Sequence, residues 1–158
     1  MNKISVDDYD DSLYSAARCF HTSGITLALS PQVRETAVEM IRRFKAQGTI
    51  ISFDVNFRGN LWTGAEAKEC IESILPYVDI FFCSEDTARL TFLKEGDVRT
   101  IMKSFTGEYP ISIVASTQRV VHSPKRHSFG SVIYSAKEDV FYEEAPYKDI
   151  EVVDRIGS

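Results

Sequence analysis

The sequence lacks a long apolar run, an apolar leader and an excess of basic residues. No stretch of the chain approaches the roughly 18 consecutive apolar residues that a membrane-spanning helix needs. The N-terminal segment MNKISVDDYDDSLY carries four aspartates where a secretory signal would have its apolar core. The net charge of −5 does not provide the basic surface that binding to nucleic-acid phosphates requires. We therefore expect neither a membrane nor a nucleic acid as a partner.

Cysteine is scarce, and histidine forms no ligand pattern. Cys19, Cys70 and Cys83 lie far apart, without the spacing of a zinc site. Three reduced thiols are typical of a cytoplasmic protein, and the sequence predicts that location. The three histidines are also isolated, so the sequence assigns no residues to a metal.

The composition and the length are those of one soluble globular domain. Hydrophobic residues make up 44% of the 158 residues and charged residues 26%. The predicted strands cover residues 19–29, with a break around Gly24, and residues 49–55, 78–83 and 110–115. The predicted helices cover residues 7–18, 31–46, 63–75, 84–93 and 98–105. This alternation predicts a parallel sheet with right-handed crossovers, and the apolar strands indicate a sheet covered on both faces.

Particular residues mark the predicted helix boundaries. Ser30 and Pro31 are typical of an N-cap followed by a first helical residue. Gly48 is typical of the left-handed residue that ends a helix, and Thr63 of a second N-cap. These signals support the α/β alternation independently of the apolar periodicity.

The pattern changes after residue 115. The segment QRVVHSPKRHSFG at 118–130 is polar and basic and predicts a loop. Its basic residues 125–127 favour a solvated turn over a phosphate contact. The segments SVIYSA, DVFYEEA and IEVVD then alternate in hydrophobicity, which predicts antiparallel or edge strands.

Polar residues directly follow three of the predicted strands. These residues are Asn56 and Arg58, Ser84 and Glu85, and Ser116 and Thr117. Because the carboxyl ends of parallel strands share one edge of a sheet, the three pairs should line one rim, where open α/β sheets bind ligands. The alternative is three ordinary polar turns, and their coincidence favours a ligand site.

The end of the chain predicts a further anion site. A strand, IEVV, is followed by Asp154-Arg155-Ile156-Gly157-Ser158. A Gly-Ser turn after a strand commonly begins a loop whose backbone N–H groups hold an anion. A frayed terminus and a cloning scar are the alternatives.

Several motifs together resemble the PfkB or ribokinase-like sugar kinases. The run HTSGITLALSP at 21–31 is similar to a segment that follows the lid in members acting on 2-keto-3-deoxygluconate. FDVNFR at 53–58 resembles their D-x-N-x-R motif, and VDIFFCSED at 78–86 their V-D-x-x-x-x-S-E-E segment. VVDRIGS at 152–158 resembles the start of the second family signature, D-x-x-G-[AS]-G-D. The resemblance implies a ribokinase-like three-layer α/β/α sandwich with a mostly parallel sheet.

The resemblance also implies a function and a set of site residues. The reaction would be phosphoryl transfer from ATP, with Mg²⁺, to a hydroxyl of 2-keto-3-deoxygluconate or a related sugar acid. The ATP contacts would be Asn56, Arg58, Ser116 and Thr117, the sugar-acid contacts Arg58 and Ile25, and the anion hole Gly157 and Ser158.

The sequence departs from the family pattern in three places. The segment after Ser116 lacks the K-x-G-x-x-G nucleotide loop, unless Gly130 serves as its last glycine. The N-x-x-E element aligns with residues 84–87, so its glutamate is missing, and Arg155 stands where a small residue or proline is usual.

The resemblance places the family's catalytic aspartate beyond Ser158. It therefore implies that residues 1–158 are the central portion of a kinase domain truncated at both ends. On that basis we expect no kinase activity from this chain alone, and we expect a homo-oligomer because exposed sheet edges recruit partners. The alternatives are another PfkB-type kinase, fructokinase-like or specific for 5-dehydro-2-deoxygluconate, and a non-catalytic fragment that associates with itself or with a complementary chain.

Overall fold

The computed structural model describes residues 4–153, which form a seven-stranded mixed sheet with helices packed against it. The strands are β1 (Cys19–Ser23), β2 (Ile50–Asp54), β3 (Ile80–Phe82), β4 (Ile113–Ser123), β5 (Arg126–Ser135), β6 (Val140–Glu143) and β7 (Tyr147–Glu151). The helices are α1 (Ser12–Ala16), α2 (Gly24–Ala28), α3 (Pro31–Ala46), α4 (Gly64–Ile74), α5 (Glu85–Phe92) and α6 (Val98–Glu108), with 3₁₀ turns at Val6–Asp8 and Leu75–Tyr77. None of the helices in this part of the chain has the length and apolar content of a membrane span.

The strands follow one another across the sheet in chain order from β1 to β6. Strands β1 to β4 are parallel, and β5 and β6 are antiparallel additions. Strand β7 also pairs with β5, opposite residues 126–129, whereas β6 pairs with residues 132–135. The predicted parallel sheet and the predicted antiparallel ending are both confirmed.

The ends of α3 and the start of α4 lie where the sequence predicts them. Ser30 caps α3 by accepting a hydrogen bond from the N–H of Val33, and the helix ends before Gly48, whose φ is +78°. Thr63 and Glu66 form a reciprocal capping box at the start of α4. Each cap satisfies backbone N–H groups that the helix cannot pair internally.

The core lies between the helices and one face of the sheet. Phe53, Phe81 and Val114 occupy one row across β2, β3 and β4, and each is at most 1% exposed. The ring of Phe81 packs edge-on against Phe105 of α6, with centroids 4.9 Å apart. Burial of this apolar row against the helices is the main stabilising contribution of the sheet.

The opposite face of the sheet is largely uncovered. The apolar strands had indicated a sheet covered on both faces, and among the described residues this is not so. Ile50, Phe82 and Ile133 point to this face and remain 44%, 39% and 43% exposed. The topology explains the difference. Right-handed crossovers between strands that advance in one direction place every connecting helix on the same side. We refer below to this surface, formed by residues 50, 80, 82, 113 and 133, as the open face.

Three other predictions about local structure are corrected. Residues 24–28 form helix α2 rather than the second half of a strand, and this helix buries Leu27 completely. Residues 118–130 form the distal part of the β4–β5 hairpin rather than a loop. Most side chains of this part of β4 are exposed, so it lacks the apolar alternation that would have predicted a strand. The predicted helix over residues 7–18 is split into a 3₁₀ turn and the short α1.

Candidate functional site

A cavity of about 560 Å³ lies at the carboxyl ends of the parallel strands. Its lining comes from residues 54–58 after β2, residues 82–84 after β3, residue 87 of α5, residues 115–117 and 119 of β4, and residues 131–133 of β5. This is the sheet edge at which open α/β folds bind ligands. The cavity therefore lies where the sequence predicts a site.

The cavity brings together most of the predicted site residues. Asn56, Arg58, Ser116 and Thr117 all contribute to its lining. Ile25 lies on α2 and is not among the lining residues. Their roles in binding stay predictions. The predicted anion hole, Gly157 and Ser158, lies outside the described residues.

The two remaining rim residues behave differently from each other. Ser84 lines the cavity and also caps α5, because its Oγ accepts a hydrogen bond from the N–H of Thr87 over 3.2 Å. Glu85 is turned toward the helix surface, where it pairs with Arg89 at 2.6 Å. Thr87, which also lines the cavity, stands where the family pattern has glutamate, and its hydroxyl accepts a hydrogen bond from Ser84 Oγ over 2.9 Å.

The turn after β2 is held in an uncommon backbone conformation. An Asp54 carboxylate oxygen accepts a hydrogen bond from the N–H of Asn56 over 3.0 Å, which closes a tight Asx turn. Asn56 has a φ of +36°, a region that L-residues other than asparagine and aspartate seldom occupy. Asp54 therefore has a structural role in directing Asn56 and Arg58 away from the strand.

Gly24, the first residue of α2, supports this turn. A Cβ at position 24 would lie 3.1 Å from the carbonyl carbon of Val55 and would overlap its oxygen, which leaves room for glycine only. The side chain of Val55 is buried, and its N–H donates to the carbonyl of Phe82 over 3.0 Å. The close approach of α2 thus fixes the backbone from which Asn56 and Arg58 extend.

Ser116 and Thr117 lie in a strand and not in a nucleotide loop. They pair with Val132 and Ser131 in the β4–β5 ladder, and Gly130 lies opposite Gln118 within the same ladder. Ser116 is 3% exposed, and its hydroxyl has no hydrogen-bond partner among the described residues. Because buried polar groups are normally satisfied, this hydroxyl marks a position for a polar group of a ligand or a water.

Sequence reasoning missed Arg119, which also lines the cavity. Its position was assigned to a loop, whereas it lies on β4 two residues after Thr117 and therefore on the same face of the strand. Recognition of the hairpin would have identified it. The described lining thus carries the guanidinium groups of Arg58 and Arg119 and the single carboxylate of Asp54.

Cys83 is the one thiol in the described lining, and it is not reactive. Burial, followed by the nearby carboxylate of Asp54, raises the pKa of the Cys83 thiol far above its ordinary value. The thiol therefore stays protonated, which makes it a poor nucleophile and a poor metal ligand. Within residues 4–153, no three His, Cys, Asp or Glu side chains are grouped closely enough to hold a metal ion.

Comparison with known proteins identifies the family. Residues 2–158 match the model of the pfkB family carbohydrate kinases. The chain belongs to this family. A 2-dehydro-3-deoxygalactonokinase of Haloferax volcanii is 31% identical over 157 residues, which cover 99% of this chain and 44% of that protein. The pfkB chain therefore spans about half the length of the relatives it matches.

Solved structures of pfkB kinases have the same fold. A PfkB family carbohydrate kinase of Listeria grayi aligns with a TM-score of 0.87 and 31% identity, over 99% of this chain and 48% of that one. A 2-dehydro-3-deoxygluconokinase of Thermotoga maritima aligns with a TM-score of 0.89 at 23% identity, over 99% and 49%. The predicted ribokinase-like α/β fold is confirmed, with the sheet and one helical layer contributed by the described residues.

Proposed function

We propose that this chain is part of an ATP-dependent kinase that phosphorylates 2-keto-3-deoxygluconate or a closely related sugar acid. The observation that carries the proposal is the single cavity shared by Asn56, Arg58, Ser116 and Thr117, from two separate strands. A sugar acid as the substrate is supported by the relatives that are named as 2-dehydro-3-deoxygalactonokinase and 2-dehydro-3-deoxygluconokinase. The three free thiols agree with work in the reducing cytoplasm, where we place the protein.

The lining chemistry suits anionic ligands. A guanidinium recognises a carboxylate or a phosphate through two parallel hydrogen bonds, and Arg58 has no ion-pair partner among residues 4–153. The unsatisfied hydroxyl of buried Ser116 can donate to a phosphate oxygen. Both residues therefore have unused hydrogen-bonding capacity, and both line the cavity.

The same lining accommodates magnesium as a companion of ATP. Mg²⁺ is usually held by one or two carboxylates together with substrate phosphates and water. Asp54 is the carboxylate that the described lining offers, so the ion would depend mainly on the nucleotide for its ligands. When bound, Mg²⁺ would neutralise phosphate charge during transfer.

The mechanism that we propose relies on positioning and charge stabilisation. Arg58 would orient the sugar carboxylate or the transferring phosphate, and Asn56 and Ser116 would hold phosphate oxygens by hydrogen bonds. The general base would come from beyond Ser158, where the family resemblance places an aspartate. We therefore propose that the 158-residue chain binds its ligands but does not turn them over.

The test combines calorimetric binding with a coupled ATP-consumption assay. We expect the chain to bind ATP and 2-keto-3-deoxygluconate and to give no turnover above background. Arg58→Ala should lower the affinity for at least one ligand by about tenfold to a hundredfold, because loss of a hydrogen bond to a charged group has an effect of this size. Arg99→Ala is the matched control, because Arg99 is exposed, pairs with Glu143 and lies outside the cavity.

Each result has a clear consequence. Turnover by the unmodified chain would refute the proposed inactivity. Unchanged affinity for both ligands in Arg58→Ala would refute the site assignment. Absence of any binding by the unmodified chain would refute the proposed function itself.

A second proposal, self-association, is favoured by the open face. Its five positions are isoleucine or phenylalanine, next to the polar pair Ser52 and His21, and the carboxylate of Asp54 lies at its cavity end. Two copies of a chain with a net charge of −5 repel one another, so an uncharged apolar surface such as this is the one through which burial can offset the repulsion. We propose a second copy of the chain as its partner.

Sedimentation over a range of protein concentrations tests this proposal. Ile50→Lys, at the end of the open face farthest from the cavity, should shift the chain toward monomer. Leu90→Lys is the control, because Leu90 is 79% exposed on α5, which packs on the other side of the sheet. A monomer at all concentrations, or equal effects of the two variants, would contradict it.

A further inference from the structure

Arg119 occupies the end of the cavity opposite to Arg58. It lies four residues beyond Ala115 on β4, which at about 3.3 Å per residue extends the lining about 13 Å past the rim of the parallel strands. Arg58 follows β2, two strands away in the sheet. The cavity therefore has a guanidinium on each side, and Ser116 and Thr117 are on the Arg119 side.

The Arg119 side chain is held by its neighbours on the hairpin without being neutralised. Its guanidinium carbon lies 5.7 Å from the ring centroid of Phe129, which is directly opposite on β5. One of its terminal nitrogens lies 3.4 Å from Nε2 of His127. Among the described residues it forms no ion pair, whereas Arg126 on the same hairpin pairs with Asp149 at 3.3 Å. Arg119 thus keeps its positive charge for a ligand.

The balance of charge in the cavity is the reverse of that in the whole chain. The chain carries a net charge of −5, yet the described lining has two arginines and one aspartate. The Asp54 carboxylate is already engaged by the N–H of Asn56. A positive cavity in an acidic protein favours a ligand with more than one anionic group, because one guanidinium satisfies one carboxylate or phosphate.

We infer that Arg119 is a second anion-binding residue of the cavity and that it contacts the phosphates of the nucleotide. The inference rests on the proposed kinase function and deepens it. Arg119 and Thr117 project from the same face of one strand, so the anion bound by Arg119 is the one that reaches Thr117. The hairpin, in place of a glycine-rich loop, then supplies the cation that the nucleotide segment otherwise lacks.

The experiment compares three ligands by calorimetry on the 158-residue chain. The ligands are ATP, inorganic tripolyphosphate and 2-keto-3-deoxygluconate. Arg119→Gln should lower the affinity for ATP and for tripolyphosphate by about tenfold to a hundredfold. The affinity for the sugar acid should stay within about twofold of that of the unmodified chain. Arg119→Lys should restore part of the phosphate affinity, since it keeps the charge but not the planar fork.

Controls separate this inference from the proposed function. Arg126→Gln changes an exposed arginine of the same hairpin outside the cavity and should leave all three affinities unchanged. If Arg119→Gln lowers only the affinity for the sugar acid, the assignment of Arg119 to the nucleotide phosphates is overturned. If Arg119→Gln changes no affinity while Arg58→Ala lowers one, the inference is overturned and the proposed kinase function is retained. If the unmodified chain binds none of the ligands, both fail.

Discussion

Replacement of Gly24 by alanine tests whether α2 fixes the turn that carries Asn56 and Arg58. The added Cβ would overlap the carbonyl oxygen of Val55 and lie 3.5 Å from the ring of Trp62. The atom in conflict belongs to the backbone, so rotation of a side chain cannot relieve the overlap. Overpacking of this kind typically costs about 1–3 kcal/mol. For a domain of this size, each kcal/mol lowers Tm by about 2–4 °C, so we expect a loss of about 2–12 °C.

Gly107 provides the matched control for this measurement. It lies in α6, and a Cβ there would meet no heavy atom within 4 Å. Alanine should therefore stabilise the helix by about 0.5–1 kcal/mol, because glycine loses more backbone freedom on folding. Thermal unfolding followed by circular dichroism reports both variants.

A functional readout accompanies the stability measurement. Displacement of Val55 by the new Cβ would move the start of the Asx turn, so ATP affinity in Gly24→Ala should fall as well. If Gly24→Ala melts at or above the temperature of the unmodified chain, the close approach of α2 to Val55 does not restrict this position. If it is destabilised but binds ATP normally, α2 supports the fold and not the turn.

Three further predictions concern backbone strain, acid stability and thiol reactivity. Asn56→Gly should raise or maintain Tm, because glycine adopts the φ of +36° freely, and it should lower the affinity for ATP in calorimetry. A lower Tm would show that the Asx turn needs the asparagine side chain. Hydrogen bonds from Thr63 lower the pKa of Glu66 in the folded protein below its usual value of 4.5. The ionised Glu66 side chain therefore contributes its full stabilisation above pH 4.5, and this stabilisation is lost as the pH falls through the folded-state pKa. The Tm difference between the unmodified chain and Glu66→Gln should therefore shrink from pH 7 to pH 3, and a constant difference would contradict this. In the native protein a disulfide reagent should label exposed Cys19 and not Cys83, because burial raises the pKa of the Cys83 thiol. In denaturant all three thiols should react. Rapid labelling of Cys83 in the native protein would show that the cavity wall opens.

The parallel part of the sheet was predictable because its signals are local. The helix of residues 31–46 has its own N-cap and terminal glycine, and the apolar strands on either side need no distant partner to be recognised. Since parallel strands end at one edge, the positions of Asn56 and Ser116 in chain order were enough to predict that they share a site.

Two segments could not be predicted from local patterns. The apolar residues of Gly24–Ala28 fit a strand or a short helix equally well, and contacts with a distant part of the chain, such as that of Gly24 with Val55, decide between them. Most side chains of the distal part of β4 are exposed, so its polar sequence resembles a loop, and its pairing with β5 identifies it as a strand. Arg119 was missed for this reason.

The strict chain order of the sheet has a consequence for synthesis of the protein. Each strand from β2 to β6 pairs with the strand that immediately precedes it, so every new unit finds its partner already formed. Contacts of this kind are short in sequence, which favours fast folding and allows growth from the N-terminus as the ribosome releases the chain. The cavity, however, needs residues 131–133 of β5. A nascent chain would therefore form the parallel part of its sheet, β1 to β4, before it acquires a site that can retain a ligand.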